Sequence, residues 1–302
     1  MGDYNLKQVN VLISTYNGEK YLEEQVESIA NQTYGNIKIF IRDDGSTDHT
    51  IEHLYALQER YKLVIVEGSN IGYGKSFMKL LEIAEEGDFW AFADQDDIWL
   101  PNKVNWAVEW MEQEEDEIPL LFHSSYELMN EDLSRVIGTY STPKYKIDFQ
   151  RALTDSVYQG FSIVLNAKLR EMLLQCNINN ITSHDWIAGL LVEKFGKAKF
   201  DERIACRHRR TEESISSMTL KNRMKWFCKT MKGNSDIRTT AKEFDRVFGK
   251  KLNDKDCKMA RWFTHDSYSI KDVIKKVFFY KRWRQSLSSE IAVRLLMLLN
   301  KI

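Results

Sequence analysis

Proline is scarce in this chain, three in 302 residues, and glycine numbers only fourteen. That excludes long flexible linkers and low-complexity tracts. No stretch reaches the ~18 apolar residues a membrane-spanning helix needs. The opening MGDYNLKQVNVLIS lacks a basic segment followed by an apolar one, so no signal peptide is expected. Four cysteines, Cys176, Cys206, Cys228 and Cys257, show no CxxC and no zinc spacing. Free thiols in a reducing cytosol are the expectation. The loop after the first apolar run, STYNGEKY, contains neither G-x-G-x-x-G nor GxxxxGK[ST]. That argues against a dinucleotide oxidoreductase and a P-loop enzyme. The loop is also too poor in glycine and basic residues for a nucleotidyltransferase.

What is present is ordinary in bulk, 43% hydrophobic and 29% charged, enough for one large α/β domain and an appendage. The net charge of −1 hides an asymmetry: residues 220–302 carry 21 Lys and Arg against 8 Asp and Glu. A basic tail on an acidic body points to an anionic contact. Along the first half, short β-branched runs alternate with helical periodicity. Strands are predicted over 9–14, 37–42, 62–66 and 89–93, and helices over 19–32, 46–61 and 75–85. Further strands are predicted over 120–126 and 161–165. This alternation predicts βαβ units, a mostly parallel sheet flanked by helices, and ligand loops gathered at the carboxyl ends of the strands. Beyond a boundary near 215 the pattern turns helical, basic and aromatic. The expected division is 1–215 for the α/β domain and 216–302 for a C-terminal helical extension.

Polar clusters fall at three of those strand ends. Asp94-Gln95-Asp96-Asp97 follows the apolar FWAFA, and carboxylates so close together repel unless a cation joins them. Hard oxygen ligands suit Mg²⁺ or Mn²⁺, which commonly hold a diphosphate. Asp43 and Asp44, before Gly45, suit a base N–H or a ribose hydroxyl, and the stretch also reads as a strand-to-helix turn with Ser46 or Asp48 as N-cap. Tyr16, after Thr15, is either a platform for a base or a packed turn aromatic. The glycine-bearing loop 69–76 opens a helix, where its amides and Lys75 suit a phosphate. Asp185, in Ser183-His184-Asp185-Trp186, is a candidate general base; spacing alone favours a helix N-cap. His208 sits in a basic cluster that suits a leaving diphosphate or simply faces solvent. The tail interleaves bases and aromatics, as in Lys275-Lys276-Val277-Phe278-Phe279-Tyr280-Lys281-Arg282. That pattern suits an anionic membrane surface, with nucleic acid as the rival set aside and an inward-packed helical subdomain as the plain alternative.

VNVLISTYNGEKYLEEQVESIANQTY, IRDDGSTDHT, FADQDDIWLPNKV and SHDW, in that order and spacing, resemble family-2 glycosyltransferases of the GT-A fold. Among these the chain is most similar to rhamnosyltransferase-like members that build bacterial cell-wall and capsular polysaccharides. The resemblance covers roughly residues 8–210. It implies an inverting, metal-dependent hexosyltransferase using a dTDP- or UDP-sugar and a polysaccharide or lipid-linked acceptor, peripheral to the cytoplasmic face of the plasma membrane. A non-catalytic nucleotide-sugar-binding scaffold is the alternative, and a homodimer is left open. By the resemblance, Thr15, Tyr16, Asp43 and Asp44 hold the base and ribose, and Asp94 and Asp96 form the D-x-D element, with Asp96 the direct metal ligand. Gly160 lies near the sugar, Asp185 is the catalytic base, and His208 lies near the diphosphate. The chain departs from the family pattern at His184, where Glu is usual, at Ser76 and Thr211, where Asn is common, and at Ala205-Cys206-Arg207-His208.

Overall fold

The computed structural model describes residues 6–141, 145–210, 220–233, 235–264 and 269–302, without the side chains of 220–223. The expected boundary near 215 and the departure at Thr211 lie outside the described residues. The chain divides into two compact units. The first comprises Met1–Thr142, Tyr158–Leu174 and Ser183–Glu212; the second comprises Pro143–Val157, Gln175–Thr182 and Glu213–Ile302.

In the first unit the chain runs β1 (Val9–Thr15), α1 (Leu22–Ala30), β2 (Ile37–Asp43), α2 (Thr50–Arg60), β3 (Leu63–Glu67), α3 (Tyr73–Ile83), β4 (Phe89–Ala93), β5 (Ile98–Trp99), α4 (Lys103–Met111), β6 (Leu120–Met129) and β7 (Val136–Tyr140). Residues Phe149–Ala152, in the second unit, make the short helix α5. The first unit resumes with β8 (Val164–Asn166), α6 (Ala167–Leu174), α7 (His184–Phe195) and β9 (Lys197–Arg209). Among the described residues its strands form one sheet in the order β3-β2-β1-β4-β8-β6-β9-β5, with β7 beside β6.

The half β3-β2-β1-β4 is parallel, as the alternating periodicity predicts. Beyond β4 the sheet is mixed: β8 runs antiparallel to β4 and β6, while β9 runs parallel to β6. Both faces of the central strands are covered. Val9, Val11, Ile13, Ile39, Ile41 and Ala91 join one core with Leu22, Val26 and Ile29 of α1 and Val104, Ala107 and Val108 of α4. Fully burying one such side chain contributes about 1.5–3 kcal/mol. Register then fixes the rim: Thr15 lies opposite Asp43, and Ile13 opposite Ala93. The loops carrying Tyr16, Asp44 and Asp94 therefore leave the sheet at one edge.

The helix expected over 46–61 begins only at Thr50. Ser46 and Thr47 are drawn into the preceding turn, where Ser46 donates to Asp43 and the Thr47 amide donates to Asn17. The strand expected over 161–165 is a 3₁₀ turn at Gly160–Ser162 followed by β8.

The second unit is helical where described: α5, then α8 (Leu220–Met231), α9 (Asp236–Phe248), α10 (Asp254–Arg261), α11 (Ile270–Val277) and α12 (Leu287–Leu298). Phe244, Phe248, Phe263 and Trp283 are fully buried in it. Two shorter stretches join the long one through specific contacts. Phe149 packs on Phe244, Thr154 Oγ1 donates to the Trp283 carbonyl at 3.0 Å, and Asp155 pairs with Arg284. Glu243 accepts from the Asn177 amide and from Asn180 Nδ2. No helix among the described residues is long and apolar enough to cross a membrane.

Candidate functional site

All the site residues expected from the sequence fall in the first unit. Thr15 is buried at the end of β1, and its hydroxyl donates to Gln95 Oε1 at 2.7 Å. The same oxygen accepts from the Tyr16 amide at 2.9 Å, and Gln95 Nε2 donates back to the Tyr16 carbonyl at 3.2 Å. Gln95 thus clasps the β1 loop to the β4 loop, and nothing in its local sequence announces it. The clasp leaves Tyr16 45% exposed, so it is not a packed turn aromatic. Asn17 adopts φ 49°, a left-handed geometry that Asn tolerates. From there its side chain engages the Thr47 amide, tying the first loop to the second.

Asp43 and Asp44 are both buried, and both shape loops. Asp43 accepts from the amides of Gly45 and Ser46 at 3.0 and 2.9 Å. Gly45 turns at φ +82°, where a side chain would be strained. Asp44 pairs with Arg42 and accepts from the amides of Ile71 and Gly72 at 2.9 Å each. Arg42 also donates to Ser76 Oγ and to the Ser69 carbonyl. The residue at position 76 is thereby part of the network that holds the 69–72 loop. Lys75, half-buried, sits in the first turn of α3.

The acidic run after β4 meets β9 through register. β5 pairs antiparallel with β9, Ile98 opposite Arg207, so the next rung brings Asp97 to His208. Asp97 Oδ1 lies 2.8 Å from His208 Nδ1 and accepts from the Arg209 amide at 3.2 Å. The His208 ring stacks on Phe161 at 4.3 Å with an interplanar angle of 6°. Burial, then the charges of Asp97 and Asp96, push the Asp94 carboxyl up to about 8. Burial and then Asp97 push Asp96 up to about 6. Burial alone would lower His208, but the Asp97 carboxylate outweighs it and raises the imidazole. Lys103, fully buried, donates to the Phe161 carbonyl and lies 4.1 Å over the Trp99 ring. Burial lowers its pKa against the opposing pull of Cys206, Asp97 and Asp94.

Raised carboxyls mark a cluster short of positive charge. One ligand atom each from Asp94, Asp97 and His208 lies within 4.8 Å of the others. Asp97 Oδ2 is buried without a hydrogen-bond partner. Two carboxylates, one of them with an unpartnered oxygen, and an imidazole fit a divalent cation. The sequence reading pairs Asp94 with Asp96. The structure also brings Asp97 and His208 to Asp94, through the β5–β9 ladder. Arg209 Nε meanwhile holds the Asp96 carbonyl at 2.9 Å.

Asp185 opens α7, and the Ser183 hydroxyl donates to its carboxylate. The carboxyl is only part-buried, and its charge is among those that raise Asp94. His184 is buried between Phe77 and Phe92, with ring centroids 4.2 and 4.4 Å away, and neither ring nitrogen has a hydrogen-bond partner. Phe92 stands two residues before Asp94, so this packing anchors the start of α7 to the end of β4. Gly160 closes the group: a Cβ there would fall 2.7 Å from His184 Nε2 and 3.7 Å from the Asp185 Cβ. Residues 94–97, 160, 184–185 and 208 therefore share one locality.

Residues 10–173 match the model of glycosyl transferase family 2. The chain is similar to the dTDP-rhamnosyl transferase RfbG of Shigella flexneri, 39% identical over 32% of this chain and 36% of that protein. It is also similar to WfgD of Escherichia coli, a UDP-Glc:alpha-D-GlcNAc-diphosphoundecaprenol beta-1,3-glucosyltransferase, 29% identical over 56% of this chain and 63% of that one. The match spans about a third of the length of several curated relatives, at 34%, 36% and 36%. Among solved structures, the mannosyltransferase PcManGT of Pyrobaculum calidifontis, in complex with GDP-Man and Mn2+, shares the fold at a TM-score of 0.57. Its identity is 14%, over 99% of this chain and 89% of that one.

Proposed function

The chain belongs to glycosyl transferase family 2, and on that premise we propose that it moves a sugar, with inversion, from a nucleoside-diphosphate donor to a cell-surface polysaccharide or lipid-linked acceptor. The donor classes are a dTDP-6-deoxyhexose such as rhamnose and a UDP-hexose, the chemistries named for RfbG and WfgD. The observation that carries the reading is geometric: His184, the residue before Asp185, packs on Phe92, two residues before Asp94, with ring centroids 4.4 Å apart. A carboxylate that close to an acidic cluster, yet partly open, is placed to serve the same bound substrate.

Asp185 would accept the proton of the acceptor hydroxyl as that oxygen attacks the anomeric carbon. Ser183, donating to the carboxylate, would hold its orientation. Asp94, Asp97 and His208, with Asp96 beside them, would hold a divalent cation, Mn²⁺ or Mg²⁺. When bound, such a cation neutralises charge on a leaving diphosphate. Tyr16 would offer its exposed ring to the base, while Asp43 and Asp44 hold the surrounding loops in place. Gly160, with no side chain, would leave room for the sugar next to Asp185.

Turnover and binding separate the parts. A panel of nucleotide sugars with Mn²⁺ should raise the melting temperature for the true donor. Asp185→Asn should keep that shift while turnover falls by at least ~10². Near wild-type turnover in that variant would remove Asp185 as the base.

A further inference from the structure

The second unit presents a surface that sugar transfer as described does not use. α11 and α12 pack on each other, and Val273, Val293, Leu296 and Met297 are buried. Their outer faces carry apolar residues at helical spacing. On α11 these are Ile270 and Ile274, continued by Phe278, which is 78% exposed; on α12 they are Leu287, Ile291, Leu295 and Leu298. Tyr280, 82% exposed, completes the set. The tail's aromatics therefore divide: Phe263 and Trp283 are buried in the unit, and Phe278 and Tyr280 point out.

The outward segment is held, not loose. The Arg294 guanidinium of α12 donates to the carbonyls of Val277, Phe279 and Lys281. Arg294 lies three residues after Ile291 and four before Leu298, so the segment it grips runs beside the α12 stripe. Charge surrounds the apolar residues. Lys271 and Lys275 flank the α11 stripe, and Lys281 and Arg282 follow Tyr280, all exposed. Residues 269–302 hold eight Lys and Arg against two Asp and Glu. Of those two acids, Asp272 pairs with Lys275, and Glu290 is buried against Arg294.

A contiguous exposed apolar patch marks an interaction site. Protein interfaces deplete lysine at their cores, whereas this patch interleaves lysine with aliphatic and aromatic side chains. That combination complements an anionic lipid surface, with rings at headgroup depth and ammonium groups at the phosphates. We propose that α11, residues 278–282 and α12 form a monolayer-inserting face for anionic bilayers. The proposal rests on the lipid-linked-acceptor reading for its purpose and names the surface that would bring the chain to such an acceptor.

Co-sedimentation with vesicles of equal parts phosphatidylglycerol and phosphatidylcholine tests it. The wild-type chain should bind these, and bind pure phosphatidylcholine about tenfold or more less tightly. Ile274→Gln, Phe278→Ala, Ile291→Gln and Leu295→Gln combined should weaken binding about tenfold or more. The melting temperature and the nucleotide-sugar shift should not change, since these side chains are exposed. Lys271→Gln with Lys275→Gln should weaken binding to the anionic vesicles about tenfold. Wild-type binding that is absent, or that the apolar variant retains, overturns the proposal. So does a dimer in sedimentation velocity that the apolar variant dissolves without any vesicle binding. A missing nucleotide-sugar shift in wild type and variant alike counts against the donor reading alone, because the vesicle result does not depend on it.

Discussion

The Asp94 carboxyl is half-buried beside those of Asp96 and Asp97, so ionising it is costly until a positive charge arrives. Its folded value near 8 stands far above that of an unfolded aspartate. At neutral pH the unfolded chain ionises Asp94 and the folded chain does not, which destabilises the fold. Asn is isosteric and ionises in neither state. In the presence of a chelator Asp94→Asn should therefore be more stable than wild type at neutral pH, by at least about 1 kcal/mol. The same change removes a ligand, so the melting shift caused by Mn²⁺ should weaken by the equivalent of tenfold or more in affinity. A variant less stable in chelator that keeps the full Mn²⁺ shift would contradict the cation site built on Asp94.

Between elements, the site depends on two joints, β5 against β9 and the Gly160 turn against α7. The second is testable by size. Ala at 160 would drive a methyl group into His184 Nε2, and the ring is packed between Phe77 and Phe92. Gly160→Ala should cost about 1–3 kcal/mol of stability and lower turnover, because Asp185 is the next residue along α7. His184→Ala in the same chain should relieve the clash, so the two stability losses should fall short of adding. Unchanged stability and turnover in Gly160→Ala would show that the turn does not press on α7. These joints also mark what was legible in the sequence. β1, β2 and β4 are short apolar runs because both faces are covered, and their loops could be placed at one rim from periodicity alone. β9, KAKFDERIACRHR, mixes exposed, half-buried and buried positions without a long apolar run, and β5 has two residues. Their pairing draws Asp97 to His208, and no local pattern encodes it, so this approach was not legible. Lys103 and Gln95 act through distant partners, Phe161 and Thr15, for the same reason. In the tail, the helical, basic and aromatic character was visible. The recruitment of 143–157 and 175–182 was not, since single contacts such as Thr154 to Trp283 carry it.

Over the whole molecule, opposed titrations should give the stability a distinctive pH profile. His123 and His184 are buried, and desolvation pushes both down to about 3. Their folded values lie below the unfolded ~6.5, so the stability they contribute is complete above ~6.5 and is lost as pH falls from there toward 3. Asp94 and Asp96 are raised to about 8 and about 6. Their contribution has the other sign, present near the unfolded ~3.9 and lost as pH rises through 6 and then 8. Between about pH 4 and 6 the unfolded state binds two protons more at the histidines and two fewer at the aspartates, so these terms nearly cancel. Above ~6.5 the histidines are neutral in both states; Asp94 and the raised His208 lose stability as pH rises, and the lowered Lys103 opposes them. Lys276, lowered to about 8 by burial, begins to oppose them only at the top of that window. In chelator, the stability from denaturant titration should thus be nearly flat from about pH 4.5 to 6 and fall by about 1 kcal/mol per pH unit from 6.5 to 8. Saturating Mn²⁺ should remove that fall, because a cation favours the ionised carboxylates. An Asp94→Asn variant whose chelated profile between pH 6.5 and 8 matches that of wild type would mean that Asp94 is already ionised in the fold, and the case for a cation between Asp94, Asp97 and His208 would lose its electrostatic basis.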